Sequence, residues 1–144
     1  MSLPKEIIKV GSVEFHFLLD GDNTNDTMVV FEAFFPPGVK VSAPSHSHAD
    51  VDEVVLGLEG TLCCTINGKH INIKPEDRYF IPRGTVHHFQ NNTDETVKVL
   101  GIMTPAFIGP PFFREMSTLI EEGSNPEKAK EIMLRYGLVP ETEA

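Results

Sequence analysis

The stretch that decides both the fold and the site is Pro44-Ser-His-Ser-His-Ala-Asp-Val-Asp-Glu53. Histidines two residues apart on an extended strand point to the same face, so His46 and His48 can bind one metal ion from a single strand. Glu53 lies five residues after His48, and a regular strand would turn it to the opposite face. We expect the chain to bend just before Glu53, where two aspartates favour a turn. The stretch therefore predicts a metal site that still lacks one ligand.

The sequence around this stretch is a series of short β-prone runs separated by turn residues. Upstream, residues 6–20 read as two strands, and the apolar run from Met28 to Phe35 stops at Pro36-Pro37-Gly38. Downstream, Asn67-Gly68 stands between two apolar runs, which is the strongest short-range signal for a hairpin. Many short strands at near-regular spacing predict an all-β sandwich or barrel.

The last part of the chain has a different pattern. Residues 111–123 begin with proline, carry apolar residues at helical intervals and end at glycine, and Asn125-Pro126 starts a second such segment. We expect two short α-helices packed on the exterior of the barrel or over one of its openings. The expected organisation is one domain, with the barrel in residues 1–110 and a helical extension in residues 111–144.

Composition and charge exclude several classes of partner. The 144 residues have a formal net charge of -9 and no cluster of Lys or Arg, which argues against a nucleic-acid surface. No apolar run approaches the roughly 20 residues that a membrane helix requires. Cys63 and Cys64 are adjacent on a predicted strand and would face opposite sides, so we expect both to be reduced. Reduced cysteines favour a cytoplasmic location.

His87 is the best candidate for the missing ligand. It follows the turn Pro82-Arg-Gly-Thr85 and leads a new strand, which would place its imidazole opposite His46 and His48. Three histidines and one carboxylate suit one divalent first-row metal, either Fe, Mn, Ni, Cu or Zn, with positions left for water, dioxygen or substrate. Taken alone, a His-x-His pair is more often two solvated histidines.

The other histidines have ordinary interpretations. His88 is next to His87 and should face outward or lie behind the ligands, and His16 and His70 are expected to be strand or turn residues. Asn91 lies on the same face as His87.

Two motifs in the chain resemble those of the cupin superfamily. His46-Ser-His48-x4-Glu53-x6-Gly60 is similar to the first motif, and Pro82-Arg-Gly84-Thr-Val-His87-His-Phe-Gln-Asn91 is similar to the second. They occur in the family's order over about residues 38–91. The resemblance implies a cupin-type jelly-roll β-barrel that binds a metal inside through His46, His48, Glu53 and His87, and it assigns Asn91 a structural role in closing a turn.

The resemblance does not imply one reaction, because cupins include dioxygenases, isomerases, decarboxylases and proteins without catalysis. Our first hypothesis is a mononuclear metal-dependent dioxygenase that acts on a small organic substrate, with Glu53 as a general base when it leaves the metal. Two alternatives are a non-catalytic small-ligand binder or sensor and, ranked lower, a metal-dependent isomerase. The isomerase would need Lys, Arg or Glu facing the cavity, and the strand runs offer few.

Several apolar residues bear on the choice of substrate and partner. An apolar pocket would favour an aromatic substrate, and the residues that could line it, or equally form plain core, are Phe35, Phe80, Phe89, Met103 and Phe107. The apolar N-terminal strands also suit a homodimer, since cupins commonly associate through edge strands and exposed edges need covering.

Overall fold

A computed structural model describes residues 3–39 and 44–141 of the chain. These residues form eleven strands and two α-helices. In chain order the strands are β1 (Glu6–Val10), β2 (Val13–Leu19), β3 (Val29–Phe35), β4 (His46–His48), β5 (Asp52–Glu59), β6 (Leu62–Ile66), β7 (Lys69–Ile73), β8 (Arg78–Ile81), β9 (His87–Gln90), β10 (Val97–Thr104) and β11 (Leu138–Pro140). The helices between β10 and β11 are α1 (Pro110–Glu121) and α2 (Pro126–Arg135).

The strands form two antiparallel sheets. One has six strands in the order β1-β2-β3-β10-β5-β8, and the other has five in the order β11-β4-β9-β6-β7. Along β3, β5 and β10 every second residue is buried, because successive side chains on a strand point to opposite faces. The fold is the jelly roll with two short helices that the sequence predicted.

Local chemistry explains the tightest turn. Asn67 and Gly68 join β6 to β7 with φ angles of 48° and 80°. Both values are positive, as a two-residue type I′ hairpin turn requires, and asparagine and glycine tolerate positive φ angles best. The predicted hairpin is confirmed.

Asn91 ties the end of β9 to two loops. Its side chain is 1% exposed, and its amide nitrogen donates to the carbonyls of Phe35, Pro36 and Glu95 at 2.7 to 3.0 Å. Its amide oxygen accepts from the backbone N–H and the hydroxyl of Thr93. These contacts give the asparagine a structural role.

The end of the described chain contributes a strand that the sequence did not predict. β11 pairs antiparallel with β4, with Leu138 opposite His48. The backbone N–H of Ala49 donates to the carbonyl of Gly137, and the N–H of Glu141 donates to the carbonyl of Ser45, both at 2.8 Å. The strand that carries two of the histidines is therefore held along one edge by the C-terminal segment. A strand of three residues is too short to show an alternating pattern of apolar and polar residues in the sequence.

Two simpler expectations concern cysteines and membranes. Cys63 and Cys64 are both buried and free. In the described ranges, no helix is long and apolar enough to cross a membrane.

Candidate metal centre

Three strands from both sheets bring the predicted ligands together. β4 carries His46 and His48 on its buried face, and His46 is the register partner of His87, the first residue of β9. The chain then bends over residues 49–51 and enters β5, which belongs to the other sheet. The bend returns Glu53 to the inside of the fold, facing the histidines from the opposite sheet. All four side chains are at most 8% exposed.

The distances describe a compact set of donor atoms. Ligand nitrogens of His46, His48 and His87 all lie within 4.8 Å of one another, and the Nε2 atoms of His46 and His48 are 3.2 Å apart. Glu53 Oε1 lies 3.6 Å from Nε2 of His87 and 3.8 Å from Nδ1 of His48. Those two separations are too long for hydrogen bonds. The carboxylate is thus beside the histidines without being bonded to them.

Backbone carbonyls fix the orientation of two imidazoles. Nδ1 of His46 donates to the carbonyl of Pro44 at 2.7 Å, and Nδ1 of His87 donates to the carbonyl of Thr85 at 3.0 Å. Because a carbonyl can only accept, the Nδ1 atoms carry the protons and the Nε2 atoms carry lone pairs. Nε2 of His87 is buried and has no hydrogen-bond partner within the described residues. A buried acceptor without a partner needs a ligand to offset its desolvation.

Burial sets the charge of the site. It lowers the pKa of His46 to about 4 and that of His48 to about 2, with a smaller contribution from the nearby His87, and it also lowers the pKa of His87. The same burial raises the pKa of Glu53 to about 8. The histidines are therefore neutral near pH 7, the form that binds metal, while the carboxylate needs a cation to offset its burial.

The residues present fit a divalent transition metal. Three neutral imidazole nitrogens and a carboxylate are ligands that Fe, Mn, Ni, Cu and Zn accept. At metal–nitrogen distances of about 2.0–2.1 Å, two ligands on one ion lie roughly 3 Å apart, which is close to the spacing of the His46 and His48 Nε2 atoms. The orphaned Nε2 of His87 supports the same conclusion. The three histidines could hold a metal ion.

We expect the metal-free protein to lose stability as pH falls below about 6.5. An unfolded histidine takes up a proton near pH 6.5, whereas the three buried imidazoles do so only at lower pH. The unfolded state then binds more protons, so the free energy of unfolding falls on acidification through this window. Between pH 4.5 and about 8 the carboxyl of Glu53 is protonated in the folded state but not in the unfolded state, so its titration raises the free energy of unfolding on acidification. Three histidines outweigh one carboxyl, which gives a slope of roughly 2 kcal/mol per pH unit near pH 5.5.

Chemical unfolding of the metal-free protein at about pH 5, 6 and 7 measures this slope. In a His48→Ala variant, in which one of the three histidines is absent, the slope should shrink by about 1.4 kcal/mol per pH unit. A free energy of unfolding that stays flat across this range would show that the histidines are not buried in the neutral form.

The four side chains line a cavity of about 100 Å³ between the sheets. All its other lining residues that the structure describes are apolar. The aromatic ones are Phe15, Phe31, Phe35, Phe89, Phe112 and Phe113. Water inside such walls has few partners, so the environment around the donor atoms is of low polarity.

The apolar residues singled out from sequence are only partly at this cavity. Phe35, Phe89 and Met103 line it, but Phe80 and Phe107 do not, and they are 56% and 57% exposed. Phe80 lies on the solvent face of β8, because its neighbour Ile81 takes the buried face. Four further phenylalanines line the cavity that the sequence did not indicate for it, namely Phe15 on β2, Phe31 on β3, and Phe112 and Phe113 on α1. The helical spacing placed Phe112 on the apolar side of a helix, but the sequence did not indicate what that side would cover.

Comparison with known proteins supports the fold. Residues 31–103 match the family profile of the cupin domain. A curated relative, quercetin 2,3-dioxygenase from Bacillus subtilis, is 29% identical over 94 residues. That match covers 65% of this chain but 27% of the enzyme, so the chain spans little more than a quarter of its length.

Similar solved structures support the same fold. A cupin-superfamily sugar phosphate isomerase from Silicibacter pomeroyi is 28% identical with a TM-score of 0.58, covering 66% of this chain and 60% of its own. A predicted oxalate decarboxylase from Thermotoga maritima is 27% identical with a TM-score of 0.62, covering 72% of this chain and 92% of its own. Proteins that share this fold are thus named for different reactions.

Proposed function

The chain belongs to the cupin superfamily, and from this premise we propose that it binds one divalent transition metal through His46, His48, Glu53 and His87. The observation that carries the proposal is the convergence of three neutral imidazoles, one with a buried and unpartnered Nε2, beside a carboxylate that has no hydrogen bond to them. Because the site faces a cavity, the metal would have room for a small-molecule ligand.

We propose further that the protein is a dioxygenase-type oxidoreductase on a small organic substrate, with aromatic compounds as the first candidates. Two observations support this class. The cavity walls are apolar, and quercetin 2,3-dioxygenase of Bacillus subtilis is among the relatives, although the match covers only 27% of it. When bound, a redox-active first-row ion supplies Lewis acidity and the electron transfer that dioxygen chemistry needs.

The chain's own residues have definable roles in this proposal. Pro44 and Thr85 fix the tautomers of two histidines through their carbonyls, so the Nε2 lone pairs aim at one point. Glu53 could act as the general base when it leaves the metal, because burial without a cation raises the pKa of its carboxyl to about 8 and the carboxylate then takes up a proton near neutral pH. The apolar walls exclude water from the reacting groups.

Oxygen uptake tests the enzymatic proposal. Protein reconstituted with Fe, Mn, Ni or Cu should consume dioxygen with at least one member of a panel of small aromatic alcohols and enols. A zinc-loaded sample, which has the site but no redox chemistry, is the control and should be inactive. A panel that is silent with every metal would exclude dioxygenase activity on this substrate class.

A non-catalytic binder or sensor is the second candidate. The observation that favours it is the cavity itself, since Glu53 is the one proton-transferring group besides the histidines among its described lining residues. A copurified ligand that is released intact after long aerobic incubation with reconstituted protein would favour binding over turnover. An isomerase of charged sugars ranks lower, because no Lys or Arg is found among the same lining residues.

We also propose that the protein is a homodimer. β1 is an edge of the six-stranded sheet, and its Ile7 is 54% exposed, so a second copy could cover the edge. Sedimentation at micromolar to millimolar concentration should give twice the chain's mass of 16.0 kDa. A monomer at the highest concentration would contradict the dimer.

A further inference from the structure

The cavity beside the metal centre has one polar end. His46, His48, Glu53 and His87 supply every polar side chain among its described lining residues, and the remaining fourteen lining residues are apolar. An anionic group placed away from the metal would be buried without a partner, which costs several kcal/mol. Hydroxyl groups along a sugar would likewise be stripped of water without replacement hydrogen bonds. The walls thus favour a ligand whose polar atoms are confined to the end that meets the metal.

The size of the cavity sets a second limit. Its volume is about 100 Å³. For comparison, an apolar cavity of about 150 Å³ in another protein holds one benzene molecule. The cavity of this protein has about two thirds of that volume, so one small ring is its upper limit, and a molecule of three fused or linked rings does not fit unless side chains move.

Phenylalanines that contact one another form part of the cavity wall. The ring of Phe113, from helix α1, lies 4.6 Å from that of Phe15 and 6.1 Å from that of Phe31 between centroids. Phe31 in turn occupies the space over Gly101, where an added Cβ would come within 2.3 Å of the ring. Aromatic rings packed in this way are held in place by several neighbours, so the wall is preformed.

We propose that the cavity takes an uncharged, largely apolar molecule of at most one ring, with one polar group at the metal end, and that Phe31 and Phe113 set this size limit. The proposal rests on the proposed metal site for the polar end and on the cavity walls for the class and size. It separates this protein from relatives whose names specify a sugar phosphate, oxalate or quercetin.

Calorimetric titration of the zinc-loaded full chain tests the class of ligand, because zinc supports binding without turnover. Phenol, which is neutral at pH 7, should bind at least about tenfold more tightly than oxalate, glucose 6-phosphate or quercetin. Equal or tighter binding of either anion, or of quercetin, would overturn the proposal, and so would the absence of phenol binding.

Two variants test the size limit. Ala33 is buried and lines the cavity, so Ala33→Leu should fill it and weaken phenol binding at least tenfold while zinc content is unchanged. Ala129→Leu, on helix α2 away from the cavity, is the matched control and should bind phenol normally. Phe113→Leu should enlarge the cavity and admit 1-naphthol, which the unmodified protein should reject. Unaltered binding of both probes in both cavity variants would show that phenol binds elsewhere.

The proposed metal site and the proposed ligand class can be tested separately. Zinc titration without any ligand tests the proposed metal site alone. Thermal unfolding of the metal-free protein at increasing phenol concentration tests the apolar walls alone. Phenol should raise the unfolding temperature, and this stabilisation should disappear in Ala33→Leu. Failure of zinc binding with this result intact would contradict the metal site and leave the ligand class standing.

Discussion

A His48→Ala variant is expected to lose at least about a hundredfold in affinity for a divalent transition metal while the protein remains folded. His48 lies on the buried face of β4, and its Nε2 is 3.2 Å from that of His46. Removing a residue that only orients a ligand costs about 10–100-fold in metal affinity, so loss of a ligand should cost more. The fold should survive, because the pairing of β4 with β11 uses backbone atoms that alanine retains.

Metal content after dialysis against limiting metal, measured by elemental analysis, checks this expectation, and far-ultraviolet circular dichroism checks the fold. His70→Ala is the matched control, since His70 lies on β7, is exposed and does not line the cavity. It should keep a full complement of metal. Stoichiometric metal in His48→Ala would mean that the proposed ligand set is wrong.

Asn91→Asp is expected to destabilise the protein by roughly 4 kcal/mol near pH 7. The amide nitrogen of Asn91 donates to three carbonyl oxygens, and the substitution replaces it with a carboxylate oxygen. A buried charge then faces three acceptors without a cation, and an uncompensated buried charge typically costs about 3–5 kcal/mol. The change alters no atom of the metal centre, so the effect should be on stability first.

The neighbouring residue provides the control for this prediction. Asn92 is exposed, so Asn92→Asp makes the same chemical change in water and should alter the free energy of unfolding by less than about 0.5 kcal/mol. Denaturant unfolding of both variants measures the difference. Equal stability of the two would contradict the structural role of Asn91.

The parts of the fold that the sequence predicted are those with local signals. Runs of β-prone residues between turn residues identified the strands, and Asn67-Gly68 identified a hairpin, because each depends on residues close together in the chain. His87 could be paired with His46 because it opens a strand directly after a turn, and the structure places the two in register. The bend before Glu53 followed from the parity of side chains along a strand.

The parts that could not be predicted depend on contacts between distant segments. Phe113 and Phe15 meet across almost one hundred residues, and no local pattern specifies that helix α1 covers the cavity beside them. Phe80 was considered for the pocket because it is aromatic, but a shift of one residue along a strand moves a side chain to the other face. With three residues, β11 is too short to show an alternation of apolar and polar residues.

The pairing of β11 with β4 has a consequence for the order of events during synthesis. Leu138 is made 90 residues after its partner His48, which at 5–20 residues per second corresponds to a delay of about 5–18 s. During that interval β4 lacks its outer neighbour, and two histidines lie on a strand that nothing yet holds along that edge. We therefore expect the site to be completed, and its ion to be bound, only after β11 has been synthesised and has paired with β4. A protein tag fused directly after Glu141 would sit beside Ser45, so purification by a removable N-terminal tag is the better choice for metal analysis.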